Sequence, residues 1–287
     1  MSMQETTDKQ LEAYRKELTR RERSQATIAN YIRHCGEFLQ FCQDSQDGLE
    51  AAPNQEMLLN WKRTLLTAGL CPATINAKLA ALNRFFSFLG RPELRVRPLR
   101  IQRRLFRDDS RDLTREEYDR LLGAARALGR ERLALLLEAI CATGIRVSEV
   151  RYLTVEAVLA GRAVVRLKGK IRTILLPGKL CRKLLKYARK QKTASGEIFL
   201  TRSGRGLSRR QIWAEMKSLC ARAGVEPTKV FPHNLRHLFA RTFYRVCRDV
   251  AKLADVLGHS SIETTRIYLI STGAEHAGTL ERMGLVC

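Results

Sequence analysis

The chain has 287 residues, 45% of them hydrophobic, and carries a formal net charge of +23. That length supports one large domain or two ordinary ones with a sizeable core. No apolar run approaches the ~18 residues of a membrane span, and the polar start "MSMQETTDKQ" lacks the apolar segment of a secretory signal, so a membrane or exported protein is not expected. The residues are expected to work in the cytoplasm.

Residues 1–90 read as a small helical bundle. "TIANYIRHCGEFLQFC" puts Ile28, Tyr31, Ile32, Cys35, Phe38, Leu39 and Cys42 at helical spacing. "SQDGLEAAPN" reads as a turn-rich loop, and "NQEMLLNWKRTLLTAG" as a weaker helix ending at Gly69. "TINAKLAALNRFFSFL" is amphipathic through Ile75, Leu79, Leu82, Phe85, Phe86 and Leu89. Residues 91–110 follow as a basic linker. Seven Arg stand against one acid between Arg91 and Arg107, and Pro92 and Pro98 discourage helix.

A second domain is expected over 111–287. Thr114 and Glu117 have capping-box spacing ahead of an amphipathic helix. "ERLALLLEAICATG" is apolar on every side, hence a buried helix, and Gly144 ends it. "RAVVRLKGKIRTILLP" signals a β-hairpin around Gly169, and "EIFLT" a further strand. The remainder reads as helices over Ser208–Ala223, about Leu235–Cys247, Val250–Leu257 and from Ser261 onward. In the last, Ser260 and Glu263 have capping-box spacing. The fold class expected is mainly α with a small β-sheet.

The charge is segregated. Residues 1–90 hold 11 basic and 10 acidic residues, a net of +1, whereas 91–287 hold 41 and 19, a net of +22. A polyanion partner fits that excess, and nucleic acid fits it better than a membrane surface. The linker Arg97, Arg100, Arg103 and Arg104 and the hairpin Lys170 and Arg172 are candidates for phosphate contacts. The eight cysteines (35, 42, 71, 141, 181, 220, 247 and 287) contain no CxxC and read as reduced thiols. The five histidines join them in no zinc-like spacing, so neither a metal nor a cofactor is expected.

Three short stretches draw attention for chemistry. "ATGIRVSEV" sets Arg146 just past a buried helix, where it either pairs with Glu149 or faces a site. "PHNLRHLFA" sets His233 and Arg236 three residues apart on one helical face, either as a cap or as working groups. "LGHSSIETTRIY" places His259 in a tight joint between helices, with Tyr268 nine residues on, either a core aromatic or a reactive one.

Taken together and in this order, these stretches resemble the Arg, H-x-x-R and His–Tyr boxes of the tyrosine recombinases, compact members of the Xer and phage-integrase type. The resemblance spans almost the whole chain. It implies a SAM-like core-binding domain at 1–90 and an α+β catalytic domain at 111–287. It implies an enzyme, a site-specific recombinase or integrase that cuts and rejoins DNA through a 3′-phosphotyrosyl intermediate, in integration, excision or resolution, as mobile elements require. Arg146, Lys168, His233, Arg236, His259 and Tyr268 would be its catalytic residues. Lys168 is favoured over Lys170 by the K-G turn. Arg146 and Arg236 would clamp the phosphate, for which a planar permanent cation is suited. His259 would donate to it, His233 would move the tyrosyl proton and Lys168 would protonate the leaving 5′ oxygen. A homo-tetramer on paired DNA sites, with accessory DNA-bending proteins, is the assembly implied. The tail after Tyr268 either folds back or docks on a neighbouring subunit. Two alternatives remain: a type IB topoisomerase-like enzyme, or a catalytically silent DNA-binding regulator.

Overall fold

A computed structural model describes residues 3–45, 53–101, 109–167, 170–259, 261–268 and 281–283. Lys168, Arg103, Arg104 and nearly all of the tail therefore lie outside the described residues, as does the side chain of Lys170. Among the described residues no helix is long and apolar enough to cross a membrane. The chain divides near residue 103 into two compact units.

The first unit is helical: α1 (Met3–Arg20), α2 (Gln25–Asp44), α3 (Gln55–Thr67) and α4 (Pro72–Phe88). Ser24 and Asn54 cap α2 and α3 through side-chain oxygens, and Pro72 opens α4 at a position where its missing N–H costs nothing. The apolar faces meet in an aromatic core. Phe38 packs edge-on against Trp61 and Phe86, with ring centroids 5.4 and 5.9 Å apart.

Residues 94–99 are not a free linker but part of this unit. Leu94, at the end of a short 3-10 turn, and Val96, in the extended segment after it, are buried, whereas Arg95 and Arg97 are exposed. Two asparagines of α4 take the place of a partner strand. Asn83 accepts from Val96 N and donates to Val96 O, both at 2.9 Å. Asn76 does the same for Leu99, at 2.7 and 2.9 Å.

The second unit begins with α5 (Arg115–Ala127), closed by the Thr114–Glu117 capping box, and α6 (Glu131–Thr143). It continues through α7 (Val155–Leu159), the antiparallel pair β1 (Arg162–Leu167) and β2 (Lys170–Leu175), and α8 (Gly178–Lys190). Next come α9 (Arg209–Lys217), α10 (Cys220–Ala223), α11 (Pro232–Cys247), α12 (Val250–Leu257) and α13 (Ile262–Arg266). Helix α6 is the centre of the core, with Leu133, Leu136, Leu137 and Ile140 almost fully buried. The hairpin covers that core with one face only. Ala163, Val165 and Ile174 are buried, while Ile171 and Leu175 are 70% and 75% exposed.

Four sequence expectations need correction. "EIFLT" forms isolated bridges, Thr154 to Glu197 and Leu200 to Gly206, rather than a strand. The helix expected over 208–223 breaks after Lys217, which lets Leu219 and Cys220 enter the core. Helix α11 starts three residues earlier than expected, because Pro232 supplies its first turn. The cap of α13 is Ser261, not Ser260. Ser261 is extended and accepts from Glu263 N at 3.2 Å.

Candidate active site

Arg236 lies on the buried face of α11, one turn from its start, and is 1% exposed. A buried guanidinium needs acceptors for its five N–H groups. Nη1 donates to Gly144 O, and Nη2 donates to Leu257 O at 2.8 Å. Nη2 also lies 2.9 Å from Nε2 of His259. Both carbonyls stand at helix ends, where the fourfold ladder leaves them without intrahelical partners. Gly144 and the residue after Leu257, Gly258, adopt left-handed φ values of +61° and +63°. At Gly144 an added Cβ would come within 2.4 Å of the Phe239 ring, so glycine is required there twice over.

His259 follows directly. Since an arginine only donates, Nε2 of His259 is an acceptor, and its proton resides on Nδ1, which lies 2.8 Å from Oγ1 of the buried Thr265. Burial, then the charges of Arg236, Arg146 and Arg172, lower the His259 pKa to about 4. His259 is thus neutral near pH 7 and accepts from Arg236. Burial likewise lowers Arg236 to about 10, assisted by the charge of Arg146 and opposed by the hydroxyl of Tyr268.

Tyr268 stands two residues beyond α13 and is 3% exposed. It packs with Ala240, Leu253 and Leu257 in a small cluster between α11 and α12. It is also ringed by the histidines. His259 stacks on it with centroids 5.8 Å apart and planes 14° apart, His237 meets it edge-on at 4.5 Å, and His233 lies at 6.3 Å. Tyr268 is therefore both a core aromatic and a neighbour of the polar groups; the two options are not exclusive. His233 is exposed at the start of α11. Partial desolvation and then Arg236 and Arg146 hold its pKa below the ordinary range.

Arg146 reaches the same field from the end of α6. Its Nη1 donates to Oε1 of Glu149 at 3.1 Å, and its side chain stays 39% exposed. Glu149 is 3% exposed. Burial opposes its ionisation, but the backbone N–H of Arg146 and the guanidinium of Arg172 outweigh burial and hold the carboxyl below the usual range. Arg172, expected to face DNA, is turned inward. It donates to Glu149 and to the carbonyls of Val256 and Leu257, because a buried carboxylate and two free helix-end carbonyls attract it more strongly than solvent does. Arg97 and Arg100 are exposed on the first unit.

Arg146, His233, Arg236, His259 and Tyr268 thus lie near one another in a cationic cluster, drawn from stretches up to 122 residues apart (268 − 146). Sequence reasoning missed Thr265, the inward role of Arg172 and the ring contact of His237. A threonine six residues after a histidine carries no signal, and the i+4 position of His237 was the single hint for the last. Among the described residues no group of three or more His, Cys, Asp and Glu could hold a metal ion. Such a cluster offers permanent cations to a tetrahedral anion and holds a phenol beside them.

Comparison with known proteins points the same way. Residues 111–275 match the phage integrase family, and residues 11–93 match the phage integrase N-terminal SAM-like domain. Tyrosine recombinase XerA of Pyrococcus furiosus is 29% identical over 274 residues, covering 92% of this chain and 90% of that protein. Tyrosine recombinase XerD of Rhizobium meliloti is 31% identical over 262 residues, with 84% of each chain covered. A lambda integrase tetramer bound to a Holliday junction has a similar fold, with a TM-score of 0.70 at 19% identity over 91% of this chain and 76% of that one.

Proposed function

Because the chain belongs to the phage integrase family, whose relatives matched here are tyrosine recombinases, we propose that it breaks and rejoins DNA with Tyr268 as nucleophile and Arg146 and Arg236 as the phosphate clamp. The observation that carries this is the convergence of Arg236, His259 and Tyr268, with Arg236 at 2.9 Å from His259 and the His259 and Tyr268 rings stacked.

The Tyr268 oxygen attacks phosphorus, and the bond from phosphorus to the 5′ oxygen breaks. The phenolic proton passes to His233, which is neutral near pH 7 and so able to accept it. The leaving 5′ oxygen takes a proton from Lys168, an assignment that rests on the sequence. Negative charge that grows on the non-bridging oxygens is met by Arg146 and Arg236, each a planar donor already oriented by its protein partners. The new 3′-phosphotyrosyl ester keeps the energy of the old one, so rejoining to a second strand needs no nucleotide. Whether the outcome is integration, excision or resolution depends on how two sites are arranged.

The partners proposed are paired double-stranded sites, held by a homo-tetramer of this chain as in the lambda integrase assembly of similar fold, with accessory DNA-bending proteins alongside. The seven described cysteines are free thiols, in keeping with work on DNA in the cytoplasm of the cell or on a mobile element there. Arg97, Arg100, Arg103, Arg104 and Lys170 are proposed backbone contacts.

The test is covalent capture. Sites are mapped by recovering DNA fragments bound to the chain, rebuilt with a nick beside the cleavage point, and incubated in EDTA. A protein–DNA adduct that survives denaturation is expected. Binding without any adduct would favour a silent regulator.

A further inference from the structure

Arg172 sits on the second strand of the hairpin, outside the residues to which the chemistry is assigned, yet it shares an acceptor residue with each half of the clamp. Its Nη2 donates to Oε2 of Glu149, whose other oxygen accepts from Arg146 at 3.1 Å. Its Nη1 donates to Leu257 O at 2.5 Å and lies 3.3 Å from Val256 O. Leu257 O is also the acceptor for Nη2 of Arg236, at 2.8 Å. One guanidinium therefore joins the carboxylate beside Arg146 to the carbonyl beside Arg236. It also sets the joint that carries His259. A Cβ on Gly258 would come within 2.4 Å of Arg172 Cδ, so the left-handed turn and the arginine fit one another. The side chain is only 14% exposed, and both Nη groups donate to protein acceptors.

The electrostatics explain why such a link matters. Glu149 is a buried anion next to the more exposed cation that is to meet the phosphate. With Arg172 present, Glu149 has two cationic partners and is balanced without full use of Arg146. With Arg172 removed, the carboxylate would fall to Arg146 alone and compete with the phosphate for it. We propose that Arg172 is a positioning residue of the recombinase site: it neutralises Glu149 so that Arg146 stays available, and it ties β2 to the Gly258–His259 joint so that Arg236 and His259 keep their alignment. This inference rests on the recombinase reading.

The experiment uses the full-length chain and the nicked substrate, with four proteins: wild type, Arg172→Met, Glu149→Gln and the double variant. Single-turnover adduct formation at saturating protein is the first readout, and DNA affinity across a salt series is the second. Arg172→Met is expected to slow adduct formation about 10–100-fold, in line with the cost of small misplacements in active sites. Its affinity and salt slope should stay as in wild type. Adding Glu149→Gln should recover a large part of the lost rate, a non-additive outcome that general loss of structure would not produce. Arg172→Lys, which keeps a charge beside Glu149 but cannot span to both carbonyls, should fall between wild type and Arg172→Met. This milder variant carries the test if Arg172→Met shows no cooperative thermal transition. A wild-type rate in Arg172→Met would overturn the proposal. So would a loss confined to affinity with a flatter salt slope, which would make Arg172 a DNA contact, and so would a double variant no faster than Arg172→Met. A wild-type chain that forms no adduct at all would overturn the recombinase reading itself, and this assignment with it.

Discussion

Arg236 and His259 meet at 2.9 Å with the arginine as donor and the imidazole Nε2 as acceptor. The pair fixes the tautomer, because an arginine offers no lone pair. Burial first, and then the charge of Arg236 at close range, keep His259 uncharged. A phosphate entering the pocket reverses that balance. An anion beside the ring favours the imidazolium. The His259 pKa should therefore rise from about 4 when an oxyanion such as vanadate or a DNA phosphate binds. Ring-proton NMR of the free and vanadate-bound protein measures it directly. An unchanged midpoint would place the anion elsewhere.

The same residue makes a prediction about acid stability. In the unfolded chain a histidine titrates near 6.5, and folding lowers His259 to about 4. Between those values the unfolded state binds more protons, so stability is fully present above about pH 6.5 and declines as the pH falls toward about 4. Glu149 acts at lower pH: its depressed carboxyl gives stability that is lost as pH falls through its folded value. Chemical denaturation at pH 7 and pH 4.5 should show a smaller acid loss in His259→Gln than in wild type. Equal losses would mean that His259 is not depressed by the fold.

Arg236→Lys tests the clamp. A lysine keeps the charge but has one nitrogen, and it cannot serve Gly144 O, Leu257 O and His259 together. The single-turnover cleavage rate should fall roughly 10²–10³-fold, the range seen when a preorganised oxyanion donor is lost. Stability should fall by about 1–3 kcal/mol, because buried acceptors are left unpaired. A near-wild-type rate would remove Arg236 from the chemistry.

Asn83 offers a test in the first unit. Its side chain satisfies both polar groups of the buried residue Val96. Asn83→Ala should destabilise that unit by about 1–3 kcal/mol, the cost of buried groups left unmatched, with Leu replacement no better. Differential hydrogen exchange at Val96 N reads this locally. If that amide stays protected in the variant, the asparagine is not its anchor.

Much of this molecule could be read from its sequence, and the reasons are physical. The bundle helices declared themselves because residues such as Ile75, Leu79, Leu82 and Phe86 recur at the helical period and are fully buried. The hairpin declared itself through β-branched runs around Lys168–Gly169. Arg146, His233, Arg236, His259 and Tyr268 stood out through three short boxes, and the structure brings them near one another; their roles belong to the proposed mechanism. What escaped were contacts that depend on long-range packing. Arg172 looked like any basic residue of a DNA-facing hairpin, and nothing within the strand reveals that Glu149 and the end of α12 lie behind it. Residues 94–99 looked like a linker, since two asparagines on another element complete their backbone hydrogen bonds.

That ordered segment carries its own prediction. Arg97 and Arg100 project from the first unit, fully within reach of solvent. Each phosphate that an arginine neutralises contributes about −0.9 to the slope of log affinity against log salt. Replacing both with Gln should flatten the slope by about 2 on every DNA sequence tested, with no change in specificity. An unchanged slope would show that these arginines do not touch the backbone.

The central claim is that Tyr268 attacks the phosphate. The most direct measurement is peptide mass spectrometry of the adduct formed on nicked DNA, run beside Tyr268→Phe. Phenylalanine preserves the packing against Leu253 and Leu257 and removes only the hydroxyl. The expected result is a nucleotide on Tyr268 of the wild type, no adduct from Tyr268→Phe, and equal DNA affinity for the two proteins. An adduct on another residue, or one that Tyr268→Phe still forms, would contradict the mechanism.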